Sequence, residues 1–155
     1  GNIYGKRSVT GRGGLKMELT PGQIRKQDIL KAFKLEPKIS YAGYYATVQE
    51  ARDNRERLLM PRGISEVQRS VDWIRTQKIG KRIGRNSYSS YGFKHVVEKW
   101  SGEMKNPDPY VSNGAFLVAC VIEKVPIRHS DPLSPNARCA IQIPKKRSLK
   151  WTTNH

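Results

Sequence analysis

The sequence predicts a mainly α fold of about five helices with a small C-terminal β-hairpin, an α+β arrangement being the variant. Three observations lead there. Apolar residues recur at three- and four-residue spacing through the middle of the chain. Prolines and small polar residues (Pro37, Pro61, Ser65, Ser89, Ser112, Pro126) punctuate that pattern at intervals of about one helix. Two short β-prone runs, 125–129 and 137–143, flank Ser130-Asp131-Pro132-Leu133-Ser134-Pro135-Asn136, which is rich in turn residues.

Residues 1–19 form a glycine-rich basic arm, in which Lys6, Arg7, Arg12 and Lys16 have no acidic neighbour before Glu18. Its composition fits a nucleic-acid arm and a solvated tail equally. A single helical domain with a C-terminal hairpin follows over 20–144, then a basic tail over 145–155. The first helix is expected from Thr20-Pro21-Gly22-Gln23, with Thr20 as cap and Pro21 in the first turn. Ile24, Leu30, Phe33 and Leu35 supply apolar positions, and Pro37 ends the helix. A longer helix is expected over 41–59, on the stripe Tyr41, Tyr44, Tyr45, Val48, Ala51, Leu58 and Leu59, with Pro61 as its stop. Ser65-Glu66-Val67-Gln68 reads as a capping box opening a helix to about Gln77. Ser89-Ser90 caps a helix over 91–101, with Gly102 suited to its C-terminal cap. Residues 103–110 read as a loop, and Ser112-Asn113 opens an apolar helix over 113–124 ended by Pro126. Pro126 and Pro144 fit strand-edge positions of the hairpin.

Charge narrows the function. The 155 residues include 29 Lys and Arg against 13 Asp and Glu, a net charge of +16. The excess is uneven: +4 over 1–16, +2 over 17–60, +5 over 61–110 and +5 over 111–155. A polyanionic partner fits this balance, and an acidic small-molecule enzyme does not. Mean hydropathy is −0.67 and no run nears the ~20 apolar residues of a membrane span, so no membrane partner is expected. Two cysteines are too few for a disulfide framework. Cys120 lies in the apolar run 115–122 and reads as a buried thiol, which suits an intracellular, reducing compartment. Association with a nucleoid, a ribosome or a virion fits the charge, and the acid-free N-terminus also fits a processed organellar precursor.

The sharpest functional segment is 78–87, an approximate repeat of basic-Ile-Gly-basic tetrads. From Arg75 to Lys94 there are six basic residues and no acid. Lys78, Lys81, Arg82 and Arg85 are suited to neutralise phosphates, with Asn86 and Ser87 adding hydrogen bonds and Lys94 further cationic reach. Arg128 and Arg138 of the hairpin and Lys145, Lys146, Arg147 and Lys150 of the tail extend the set. The opposing reading is a solvated basic loop. Catalytic signals are weak: His95 and Glu98 are spaced to share a metal, but no cluster at zinc spacing completes a ligand set. Gly80-x-x-x-Gly84-Arg85 lacks the Lys-Ser/Thr end of a phosphate-binding loop. Neither a metal nor a cofactor is expected.

The order helix 65–77, helix 91–101, helix 113–124 and hairpin 125–143 resembles a winged helix-turn-helix domain. The resemblance implies that the helix opening at Ser112 and Asn113 enters a major groove, with the hairpin on the backbone. One feature departs from it: residues 113–123 contain no basic residue. Open backbone amides after Ser112 and Asn113 remain as phosphate donors, and a central core helix is the competing reading. The segments Ser90-Tyr91-Gly92-Phe93-Lys94-His95 and Tyr110-Val111-Ser112-Asn113-Gly114-Ala115-Phe116 are similar to short uncharacterised phage- and plasmid-encoded proteins, which implies a mobile-element or virion context. The expected function is non-catalytic nucleic-acid binding, to DNA or RNA, led by phosphate contacts with little base reading. The alternatives are a structural subunit of a nucleoprotein particle, such as a ribosome or virion, whose basic arms order on nucleic acid, and a metal-dependent nuclease using His95 and Glu98.

Overall fold

A computed structural model describes residues 22–84 and 87–142 of the chain. Among them are six helices and two small antiparallel strand pairs, so the fold is mainly α with a small C-terminal hairpin. The basic arm, Thr20, Pro21, Arg85, Asn86 and the basic tail lie outside the described residues.

The first helix, α1 (Lys26–Leu35), starts later than the expected cap at Thr20. Ile24 precedes it, and its N–H donates to Gln68 Oε1 at 2.6 Å. Arg25 N–H donates to Asp28 Oδ2 at 2.9 Å, so an acidic residue in the first turn satisfies the helix entry. Ile29, Ala32 and Phe33 bury one face, and Pro37 follows the last turn as expected.

The expected helix over 41–59 does not form as one element. Two strands, β1 (Ile39–Ser40) and β2 (Gly43–Tyr44), pair Ile39 with Tyr44 and Ser40 with Gly43. Two short helices, α2 (Val48–Asp53) and α3 (Glu56–Leu59), come after. Gly43 explains the break. Its φ is +123°, and a Cβ there would meet the Pro135 carbonyl and Asn113 Nδ2. Thr47 and Glu50 then start a fresh helix by reciprocal capping: Glu50 N–H donates to Thr47 Oγ1 at 3.1 Å and Thr47 N–H to Glu50 Oε1 at 3.2 Å.

Pro61 begins α4 (Pro61–Ile74), which starts ahead of the expected cap at Ser65. Proline at a first helical position loses no hydrogen bond, and its φ is already helical. Helix α5 (Ser90–Glu103) matches the expectation at its start, where Ser89 Oγ accepts from Gly92 N–H at 3.3 Å. Its exit differs: Gly102 stays helical, and Lys105 takes the left-handed conformation at φ 64°. Helix α6 (Asn113–Ile122) is capped as expected by Ser112 Oγ, which accepts from Ala115 N–H at 3.0 Å.

Helix α6 is the centre of the fold. Every residue from Val111 to Cys120 is buried, and α1, α4 and α5 pack around it. Phe116 lies 5.6 Å from Phe93 and 6.2 Å from Trp73 between ring centroids. At its N-terminus the helix presses on the first hairpin. Gly114 N–H donates to Tyr41 O at 2.9 Å, and a Cβ on Gly114 would collide with the Ser40 carbonyl. Both thiols, Cys120 and Cys139, are buried and free.

The C-terminal strands are shorter than the expected runs. β3 (Ile127–Arg128) pairs with β4 (Arg138–Cys139) in the register Ile127 with Cys139 and Arg128 with Arg138. A third segment joins them. Gly80 N–H donates to Ala140 O at 2.7 Å, Gln142 N–H donates to Lys78 O at 3.0 Å, and Ile79 bridges Ile141. The base of the basic loop is thus laid along the continuation of β4.

Candidate functional site

The side chains of 78–84 and 127–138 that bear positive charge face solvent: Lys78, Lys81, Arg82, Arg128 and Arg138 are all exposed. Gly84 and Ser87 are tied to each other: Gly84 N–H donates to Ser87 Oγ at 2.9 Å and Ser87 N–H donates to Gly84 O at 3.2 Å. The Ser87 oxygen therefore already accepts one hydrogen bond within the chain. The pairing of Ile79 with Ile141 sets Lys78 and Lys81 beside the hairpin, so the loop and the hairpin form one edge.

Within the hairpin, the register places Arg128 directly opposite Arg138. Like charges at opposed antiparallel positions repel each other. An anion between them reverses the sign of that interaction. Among the described residues, Lys78, Lys81, Arg82 and Arg128 have no ion-pair partner. Neighbouring cations behave differently: Arg75 pairs with Glu123 at 3.0 Å, and Arg62 with Asp108 at 3.0 Å.

Lys94 belongs to another environment. It is 6% exposed, and its Nζ lies 2.8 Å from Glu98 Oε2. The same carboxylate oxygen accepts from Val111 N–H at 3.1 Å, and Oε1 meets His95 Nδ1 at 2.9 Å. Burial alone would raise the Glu98 pKa, but the hydrogen bonds from Lys94 and Val111 outweigh it and hold the carboxyl below its ordinary value. Lys94 therefore balances a carboxylate inside the fold and is not part of the exposed set.

Ser112 and Asn113, expected as phosphate donors, are also turned inward, 1% and 7% exposed. Ser112 N–H donates to Glu66 Oε1 at 2.8 Å. Asn113 Nδ2 faces three acceptors: Ala42 O at 3.0 Å, Pro135 O at 3.1 Å and Asn136 Oδ1 at 3.0 Å. The Asn113 amide thereby ties α6 to both hairpins, and the Ser112 amide ties it to α4. The arm residues Lys6, Arg7, Arg12 and Lys16, the tail residues Lys145, Lys146, Arg147 and Lys150, and Arg85 and Asn86 lie outside the described residues.

Glu66 was not singled out by the sequence as more than part of a cap. It is 1% exposed and receives the Ser112 amide and, at 3.4 Å, the Tyr41 hydroxyl. Burial raises its pKa, against the lowering by the Ser112 amide, and pushes Tyr41 up to about 12. The spacing Glu66–Ser70, with Val67 and Val71 beside them, puts an acid on the apolar face of α4, and that was the available signal.

His95 and Glu98, the pair weighed for metal binding, do meet on one face of α5. Among the described residues no group of three or more His, Cys, Asp or Glu side chains is arranged to hold a metal. No described helix is long and apolar enough to cross a membrane. Comparison with protein-family models, curated proteins and solved structures gave no match to this chain.

Proposed function

We propose that the protein binds nucleic acid without catalysis, mainly through phosphates and with little reading of base edges. The observation that carries this reading is the loop–hairpin edge, where Lys78, Lys81, Arg82 and Arg128 are exposed and lack acidic partners among the described residues. Arg138 adds a fifth cation opposite Arg128. The exposed groups of the edge are ammonium and guanidinium ions, which suit phosphate oxygens. The element order α4, α5, α6 and β3–β4 keeps the winged helix-turn-helix resemblance as part of the proposal, with the hairpin on the backbone. With α6 turned inward, binding falls to the wing and the loop.

A salt titration of affinity for duplex DNA, single strands and structured RNA tests this. Four to five phosphate contacts give a slope of roughly −4 in log K against log salt on duplex. A slope near zero, or no binding at low salt, would sink the reading. The charge of the arm and tail favours a second reading, a subunit of a nucleoprotein particle such as a ribosome or virion. Retention on one particle through a high-salt wash supports that reading, and clean dissociation as a free protein removes it.

A further inference from the structure

The basic edge runs into a recess. A cleft of about 310 Å³ lies between the start of α5, the segment before α6 and the approach to β4. Three tyrosines line it. Tyr91 and Tyr110 are 51% and 41% exposed, and Tyr41 is half-buried. Lys94 lies within reach of two of them, with Nζ 4.5 Å from the Tyr110 ring centroid and 5.7 Å from that of Tyr91. Glu98 fixes that ammonium, and the Tyr41 hydroxyl is fixed by Glu66. Part of the wall is therefore set before any ligand arrives, which lowers the ordering cost of binding.

The place of the recess matters as much as its lining. Tyr91 is two residues after Ser89, which bridges Arg138. Asn136, also in the lining, is two residues before Arg138. Two residues of chain reach no more than ~7 Å. A phosphate held at the Arg128–Arg138 pair would therefore set its neighbouring base at the mouth of the recess. Bases in a duplex are stacked and paired inward and cannot enter. Unpaired bases can be splayed out and stacked on aromatic side chains.

We propose that the tyrosine recess receives an unstacked nucleobase of a single-stranded segment whose phosphates lie on Arg128 and Arg138. This rests on the nucleic-acid reading above and deepens it to a strand class. Stacking accepts any base, so the recess selects single over double strands without reading sequence.

The test uses the full chain with a labelled mixed-sequence single strand and its duplex, by fluorescence anisotropy over a salt series. The unmodified protein is expected to prefer the single strand. Tyr91→Ala should weaken single-strand binding roughly 5- to 150-fold, the loss typical of one stacked base. Duplex binding and the salt slope should stay as they were, and Tyr91→Phe should restore affinity by keeping the ring. Equal affinity of the unmodified protein for both forms, an unchanged affinity in Tyr91→Ala, or no rescue by Tyr91→Phe overturns the recess while leaving phosphate-led binding in place. Absence of binding to either form at low salt overturns the proposed function itself, and the recess with it.

Discussion

Helix α6 and the loop–hairpin edge are built from opposite materials, yet they meet through neighbouring residues. The ten residues of α6 carry no charge, and Asn113–Cys120 are buried throughout. The edge carries five exposed cations and is tied down by a few backbone hydrogen bonds. Cys139, buried in the core, stands next to exposed Arg138 on the same strand, because successive strand residues face opposite sides. Stability is thus concentrated in one region and charge in the other, and they should respond separately to substitution.

The largest break comes from the centre. Phe116→Ala removes a ring packed on Phe93 and Trp73, and should cost about 3–5 kcal/mol, read from the denaturation midpoint. A cost below ~1 kcal/mol would show that α6 is not the hub. Glu66→Ala comes next, because it leaves the buried Ser112 amide without an acceptor. A loss of about 1–3 kcal/mol is expected in the same assay.

A pH series sharpens the contrast. The Glu98 carboxyl is held below its ordinary value of 4.5, so the folded state binds its proton less readily than the unfolded chain. Its contribution is present above that ordinary value and is lost as pH falls through the lowered one. The stability gap between the unmodified protein and Glu98→Gln should therefore shrink on acidification from about 4.5 downward. A gap that is flat with pH would detach Glu98 from the Lys94 pair.

The smallest stability effect is expected at the edge. Lys78→Ala, Lys81→Ala and Arg82→Ala should each shift unfolding by no more than ~0.5 kcal/mol. The triple variant should make the duplex salt slope shallower by about 2 to 3, since each phosphate left without its cation takes away about 0.9. A large fall in stability would mean that the edge is structural and would erase the distinction from α6.

Legibility in the sequence followed locality. The start of α5 at Ser89, the start of α6 at Ser112 and the C-terminal hairpin are set by neighbours a few residues away, and all three could be read. Lys94 was also readable in part, since Glu98 one helical turn on is the usual partner of a cation at that spacing. The region 41–59 resisted because its stripe has helical period, while the break at Gly43 answers to Pro135 and Asn113, far away in sequence. The Thr47-x-x-Glu50 box was a local signal for a later start. Tyr44 shows the same effect: it belongs to the helical stripe by spacing, but stacks on His129 at 3.8 Å.

By itself the sequence determined a mainly helical chain, a buried apolar helix after Ser112 and an excess of cations in loops and hairpin. These follow from periodicity, caps and charge, which act over a few residues. Tertiary structure decided which cations face outward, since Lys94 turns in on Glu98 while Lys78, Lys81 and Arg82 do not. It also decided that Arg128 opposes Arg138, and that Tyr41, Tyr91 and Tyr110 meet in one recess. The physical reason is distance along the chain: a contact between Tyr41 and Tyr110 depends on how α6 docks, and no local pattern encodes it.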